Sequence, residues 1–427
     1  MERMKVCLFE DGKEVDFFPL TMTRAVYELR CGKTTLLEKL VDAFGKGAEV
    51  CLHSRDYLTE VLRERYSSYT VNSLGELDDV LFVNGRWLYK GEQIDLKDEY
   101  VGVSGDQIVL VKAKKETVRK YWDLPIPEIV KKLGEELGRD TVKANLAQWP
   151  WDLVFANPEM IKYDFERLGK RGIHGKVQGH VEIVGDKDMV YVAPTAKIYP
   201  YMLIDAEEGP VIIDEGAIVY SFAFIQGPSS IGEGTHVMMG AKVREGFTAG
   251  PVCRVGGEVE ESIIHGYSNK YHDGFLGHAY VGEWVNLGAL TTNSDLKNDY
   301  SEVVVYINGK PVKTGSTKVG SIIGDHVKTS IGTLLNTGTV IGVMCNVLAT
   351  DISPKYIPSF TWYVNGKLSK GAGLRRMLKT AETMMGRRGK KLTEPQVKLF
   401  EYLYEMTRQE REYYIELFYR KAAPFTE

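Results

Sequence analysis

From Val192 onward an aliphatic side chain returns at every sixth position. One block holds Val192, Ile198 and Ile204, and the longest runs Ile213, Val219, Ile225, Ile231, Val237, Val243, Ala249 and Val255. After a break come Phe275, Val281 and Leu287, and after a longer one Ile323, Thr329, Leu335, Ile341 and Val347. A period of six suits neither an amphipathic helix nor plain strand alternation. It predicts a hexapeptide β-solenoid, a left-handed parallel β-helix in which three six-residue units close a triangular coil and the register residue points inward. Stacked coils pair each short strand with neighbours ~4.8 Å above and below.

The pattern ahead of the solenoid is different. Met4–Phe9 (MKVCLF), Glu49–His53, Val80–Val83 and Gln107–Val111 are apolar runs of strand length, and Thr34–Phe44 sets Leu36, Leu37, Leu40 and Val41 on one helical face. Alternating strands and helices of this kind predict a doubly wound α/β domain. Residues 289–322 leave the coil, and Val303–Ile307, Asn308-Gly309 and Lys310–Lys313 read as a hairpin with a tight turn. A second Asn-Gly pair, Asn365-Gly366, follows Trp362–Val364. Beyond Gly373 the period becomes helical, with one segment over Leu374–Met385 and a longer one opened by the capping box Thr393-x-x-Gln396, Pro395 in its first turn. The expected organisation is an α/β domain over 1–185, a β-helix over 186–370 with the inserted hairpin, and helices over 371–427 that cover the open last coil.

Composition narrows the function classes. The chain has 427 residues, 44% hydrophobic and 26% charged, with a net charge of −4, the balance of a soluble globular protein. That charge argues against wholesale binding of nucleic acid or an anionic membrane, and leaves room for a local basic pocket. No apolar run is long enough to span a bilayer, and the opening MERMKVCLFEDGK lacks a signal peptide's core, so the expectation is a cytoplasmic protein. Cys7, Cys31, Cys51, Cys253 and Cys345 are odd in number and scattered, which excludes a zinc ribbon or disulfide framework.

Chemistry concentrates in Asn269–Asn298, NKYHDGFLGHAYVGEWVNLGALTTNSDLKN. The segment resembles the acetyltransferase half of the bifunctional N-acetylglucosamine-1-phosphate uridyltransferase/glucosamine-1-phosphate acetyltransferase family, through His272, Leu276-Gly277, Asn286-Leu287-Gly288-Ala289 and the loop around Asn293. The resemblance implies that His272 is the general base that deprotonates a sugar amine. It assigns Lys270, Asn286 and Asn293 to the substrate and places Ala289 beside the thioester of acetyl-CoA. Phe275 stands where that family has a phosphate-binding tyrosine. Amine attack on a thioester calls for a base that titrates near neutrality, histidine's range, and for oxyanion donors such as backbone amides in a Gly-rich turn. His265 and His278 gain nothing from the resemblance and read as surface residues. Their spacing with His272, seven and six residues, does not fit the three-histidine zinc site of γ-class carbonic anhydrases, the other trimeric solenoid enzymes considered.

Pro19–Leu40, PLTMTRAVYELRCGKTTLLEKL, resembles the stretch after the first strand of sugar-1-phosphate nucleotidyltransferases. The family's glycine-rich triphosphate loop is replaced by EDGKEVDFF, its lysine by Val26, and its metal-binding aspartate by Asn84-Gly85-Arg86. What remains is a set of cations, Arg24, Arg30, Lys33 and Arg86, suited to nucleotide phosphates, with Glu10, Asp11 and Asp152 as acids that could recruit Mg²⁺. The motifs LTMTR, ELRCG, GYSNKYHDGFLG, GEWVNLGA, NTGTVIG and PSFTW together resemble the GlmU-like group of sugar nucleotidyltransferases. That resemblance implies a homotrimer using sugar phosphate, nucleoside triphosphate and acetyl-CoA, acetylating at the β-helix and transferring a nucleotide at the N-terminal domain. The alternatives are an acyltransferase whose N-terminal domain only binds sugar nucleotide, and a non-catalytic scaffold. The Asn-rich segment beside His272 disfavours the scaffold.

Overall fold

Strands β1 (Met4–Phe9), β2 (Glu49–Leu52), β3 (Thr70–Val71), β4 (Asp79–Asn84), β5 (Tyr100–Ser104), β6 (Gln107–Ala113) and β7 (Arg139–Thr141) form one mixed sheet in the order β3-β2-β1-β4-β6-β5-β7. The structure is a computed structural model, and it describes residues 4–349 and 351–422. β1 lies parallel to both β2 and β4, whereas β6 runs antiparallel to β4 and β5. Helix α1 (Leu36–Phe44) starts at a reciprocal capping box between Thr35 and Glu38 and buries Leu36, Leu37 and Leu40. Helices α2 (Thr59–Arg65), α3 (Lys115–Arg119) and α4 (Ile126–Glu136) complete this part, with Ile126, Ile129, Val130 and Leu133 packed on β1, β4 and β6.

The chain divides into two compact units. One comprises residues 4–17, Thr23–Leu29 and Thr34–Gln148 of the described chain; the other takes Phe18–Met22, Arg30–Lys33 and everything described from Trp149 onward. The second unit opens with α5 (Pro150–Leu168), whose Ile161 and Phe165 pack on Tyr191, Ala193 and Ile212 of the coil. Three long parallel ladders follow, as a triangular β-helix requires. One carries Val192, Ile213, Ile231, Ala249, Ile264, Val281, Ile323 and Ile341 in register, all buried.

Three details depart from the sequence-based pattern. Pairing starts at Gly172–Ile173 and Lys176–Val177, ahead of position 186, because Ile173, Val177 and Ile183 occupy inward positions at irregular spacing. The coil does not break after Val255: Val259, Ile264, Lys270 and Leu276 continue it, so Leu276, not Phe275, is the inward residue. The excursion also begins later than 289, since Thr292–Asn293 still pairs with Leu334–Leu335. Both Asn-Gly turns close antiparallel hairpins, with φ of 50° and 70° at Asn308 and Gly309 and of 43° and 82° at Asn365 and Gly366.

The expected long C-terminal helix is two helices, α7 (Glu394–Met406) and α8 (Arg408–Ala422), separated at Thr407, with α6 (Leu374–Gly386) before them. Tyr414, Ile415 and Phe418 of α8 lie against the coil core, Phe418 edge-on to Tyr363 at the last rungs. α8 thereby shields the open end of the ladder from pairing with another chain.

His278 and His265 are buried, contrary to their reading as surface residues. Each lies just past an inward rung, where neighbouring coils supply partners. His278 sits between Asp295 and Glu261, with each ring nitrogen 2.7 Å from a carboxylate oxygen. Burial alone would lower its pKa, but the two carboxylates outweigh that and lift it to about 9. A folded pKa above the unfolded one stabilises the fold fully below pH ~6.5 and loses that stabilisation as pH rises through ~9. His278 therefore contributes about 3 kcal/mol of stability that is lost across that window, read in urea unfolding as the pH-dependent difference between the wild type and His278→Gln. His278→Gln should remove this component of the pH dependence.

Candidate functional site

The acetyltransferase-like stretch spans successive coils, and the coil geometry sorts its residues. Asn269 and Asn286 are neighbours on one outer face, with Asn269 Nδ2 donating to Asn286 Oδ1 at 3.1 Å. Three residues past Asn269 the chain turns a prism corner, where His272 is exposed and its ring lies 4.8 Å from that of Tyr271. Leu290 N–H donates to Asp273 O at 2.9 Å, and Gly332 N–H to Ala289 O at 2.7 Å, so this corner continues through the next two coils. His272 and Ala289 thus share one corner, with Asn286 beside it.

Lys270 and Asn293 are not surface residues. Lys270 occupies an inward rung between Val255 and Leu287 and is 2% exposed. Its ammonium turns back to donate to the backbone carbonyls of Gly256 and His272, and burial lowers its pKa to about 8. It reaches the site only by holding the backbone of the His272 turn. Asn293 is inward opposite Leu335, accepting from Gly277 N–H and donating to Gly277 O, each at 2.9 Å. Its side chain does the work of a ladder pair. Asn293 borders a cavity of about 590 Å³ with Asn336 and Thr337, whereas Asn286 borders a different one, of about 460 Å³, against α6. The expected pair of sugar-holding asparagines is not brought together.

In the N-terminal unit, the carboxyl ends of β1 and β4 meet at the position where doubly wound sheets place ligands. Glu10 and Asp11 follow β1, and Asn84-Gly85-Arg86 ends β4. Arg86 is fully buried and grips Asp11 through Nε (3.0 Å) and Nη2 (2.6 Å), while also donating to Ala147 O and to Gln107 Oε1. Burial pushes the Asp11 carboxyl upward, but Arg86 and Asn84 prevail and hold it below the usual range. Glu10 pairs with Arg55 Nε and Nη2, both at 3.0 Å, although its burial still raises its pKa. Arg24 is buried in the same unit, its carbonyl accepting from Arg55.

Arg30 and Lys33 belong to the other unit. The Arg30 guanidinium donates to the carbonyls of His265 and Lys33, and Lys33 pairs with Asp214 on the coil. The Tyr280 hydroxyl closes this clasp against the backbone of Arg30, at 2.8 Å from its nitrogen and 3.0 Å from its carbonyl oxygen. The four expected phosphate-binding cations therefore do not form one cluster within a unit. Asp152 caps α5, accepting from Trp149 N–H at 3.0 Å, and lies in the second unit as well. A metal-like trio that sequence reasoning missed, Glu260, His278 and Asp295, has its donor atoms within 4.8 Å of one another. The protonated His278, and Arg244 at 2.6 Å from Glu260, already neutralise these carboxylates.

Residues 6–172 match the family model described as sugar nucleotidyl transferase, a match that runs on through α5. The chain is 37% identical over 90 residues to the bifunctional sugar-1-phosphate nucleotidylyltransferase/acetyltransferase of Sulfurisphaera tokodaii, covering 21% of this chain and 22% of that protein. It is 30% identical over 211 residues to the bifunctional protein GlmU of Methanococcus maripaludis strain C5, covering 48% and 44%. With the bifunctional protein GlmU of Methanocaldococcus jannaschii it shares 28% identity over 264 residues, covering 60% and 57%. The matched segments thus span less than two thirds of the length of each of these relatives. Among the described residues no helix is long and apolar enough to cross a membrane. The chain is thus similar over residues 6–172 to sugar nucleotidyl transferases, and over about half its length or less to two of these bifunctional relatives.

Proposed function

We propose that the chain is a bifunctional transferase of sugar activation, acetylating an amino-sugar phosphate at the solenoid corner and transferring a nucleotide to a sugar-1-phosphate at the N-terminal unit. The observation that carries the first half is the exposed His272 on the same corner as Ala289, with Asn286 on the adjoining face. In this reading the sugar amine attacks the thioester carbonyl of acetyl-CoA. A C–N bond forms, the C–S bond breaks, and His272 takes the amine proton and passes it to the departing sulfur, which leaves as the thiol. In this reading Ala289 borders the thioester, while the neighbouring Gly288 N–H is held within the coil by Thr329 Oγ1 at 2.9 Å. Lys270 fixes the His272 turn from inside the coil. His272→Ala should lower acetyl transfer to an amino-sugar phosphate by ~10²–10⁴-fold with an unchanged circular dichroism spectrum. Unchanged turnover would remove His272 from the chemistry.

The same corner supports assembly into a homotrimer. Tyr201, Phe222, Met239, Leu290 and Ile331 follow one another along it and are 61–75% exposed, an apolar stripe that a monomer would leave in water. Closed cyclic packing covers such a stripe and brings a second copy to His272. Light scattering at micromolar concentration should report three chains per particle; a monomer would contradict both the trimer and a shared site.

The nucleotidyl half rests on the family match over residues 6–172. Mg²⁺ does not fit at Glu10 and Asp11, whose charges Arg55 and Arg86 already neutralise. That pairing favours a second reading, in which the N-terminal unit binds a sugar nucleotide without turning it over. Incubation with a sugar-1-phosphate, Mg²⁺ and each nucleoside triphosphate should release pyrophosphate with at least one of them. Binding of a sugar nucleotide without any release would establish the second reading instead.

A further inference from the structure

The cavity of about 460 Å³ between the coil and α6 has an unbalanced charge. Its floor is the outer column Asn269, Asn286, Lys328 and Asn346, one residue per rung. Its roof is one face of α6 and the turn after it, where Arg376, Lys379, Arg387 and Arg388 project. No carboxylate is among the described residues that line it. Glu382 pairs with Lys379 at 2.8 Å from outside the cavity, which leaves Lys328, Arg376, Arg387 and Arg388 as the lining's uncompensated cations.

Two observations show that the protein itself does not balance this charge. The Arg388 guanidinium spends Nη2 on Asn269 Oδ1 at 3.1 Å, while its Nε–H is shielded from solvent and bonds nothing among the described residues. A buried guanidinium N–H without a partner is costly, and a ligand oxygen would satisfy it. The excess also reaches the rungs below. Burial first, and then the positive charges of Arg254 and Arg388, hold the His236 imidazole below its ordinary range. Lys328, whose ammonium donates to a neutral carbonyl, His326 O at 2.7 Å, is lowered to about 8 by burial alone.

The shape of the positive field selects among anions. Arg376 and Arg387 stand at opposite ends of the α6 face, about 16 Å apart at ~1.5 Å per residue. The four floor residues span about 14 Å at ~4.8 Å per rung. Two linked phosphates reach more of these cations at once than a single phosphate does, and the remaining length is left for a neutral part of the same ligand. From this geometry we propose that the cavity is a binding site for a phosphoanhydride, a ligand with two linked phosphates lying along the coil axis between the asparagine column and α6. The amides of Asn269, Asn286 and Asn346 would take the neutral, hydroxyl-bearing part of the same ligand. This site needs no acetyl chemistry and stands apart from the proposed role of His272.

Coenzyme A and nucleoside diphosphate sugars both carry this group, so the probe is inorganic pyrophosphate, titrated calorimetrically into the full chain at low ionic strength. Pyrophosphate should bind about tenfold or more tighter than orthophosphate, and added salt should weaken it. Arg376 and Arg387 are exposed, so Arg376→Ala with Arg387→Ala should leave the unfolding midpoint unchanged and weaken pyrophosphate by about tenfold or more. Arg387→Ala alone should give a smaller loss. Displacement of pyrophosphate by coenzyme A or by a nucleoside diphosphate sugar would identify the source of the group. Absence of heat at millimolar pyrophosphate, equal affinity for orthophosphate, an affinity untouched by the double variant, or displacement by neither compound would each overturn the assignment. Acetyl transfer dependent on His272 would survive that failure.

Discussion

In a parallel coil the backbone of each rung is committed to its neighbours, so a side chain at an inward position is buried whatever its polarity. Everything distinctive about the second unit follows from this constraint. Where the rung is Val, Ile or Leu, burial is favourable at roughly 1.5–3 kcal/mol per side chain. Where it is Lys270 or Asn293, the polar group must find partners inside the prism or its burial is costly. Lys270 finds two carbonyls, one of them on the turn that carries His272, and Asn293 completes both backbone groups of Gly277. Polar residues at core rungs thus act on the shape of the adjacent corner, without touching what binds there.

The same constraint explains what could be read from the chain. The aliphatic column was legible because burial selects one residue class at a fixed period. The pattern was lost where a polar residue took an inward place. Ile264, Lys270 and Leu276 are six apart, as are Leu287 and Asn293, but a search for aliphatic residues steps over both polar rungs and lands on Phe275. Lys270 and Asn293 were assigned to the substrate by resemblance, which carries no information about which rung points inward. The hairpin turns at Asn308-Gly309 and Asn365-Gly366 were legible for a local reason, the positive φ that both positions must adopt. His278 was not legible, because its partners Glu261 and Asp295 come from neighbouring coils and no short motif joins them.

The N-terminal unit shows how a charge constellation can survive in sequence while its environment changes. Arg24 and Arg86 are present, yet both are buried, and the acids after β1 are each held by a guanidinium. Breaking either pair would leave an uncompensated buried charge, a loss of about 3–5 kcal/mol. These arginines are therefore committed to the fold first. Arg30 and Lys33, from the same sequence stretch, are committed elsewhere, to His265 O and Asp214 of the coil unit. Sequence proximity alone suggested one phosphate cluster; the two compact units divide it.

Uncommitted charge is the more informative signal for that reason. Within the second unit several cations near the coil have an acidic partner: Lys33 with Asp214, Arg244 with Glu260, and His278 with Glu261 and Asp295. The cavity under α6 lacks such partners in its lining. A helix that only covered a coil face would be served by apolar residues on its inner side, as Tyr414, Ile415 and Phe418 serve α8 against the core. α6 buries Met377, Ala381 and Met385, yet beside Met384 it turns Arg376, Thr380, Thr383 and Arg387 toward the column of Asn269, Asn286, Lys328 and Asn346. Positive charge stands on both walls of the shared space, and the Arg388–Asn269 hydrogen bond that crosses it leaves that charge unneutralised. An anion with acceptor oxygens between them would neutralise that charge, and this is the ground for reading α6 as a binding element where α8 covers the coil.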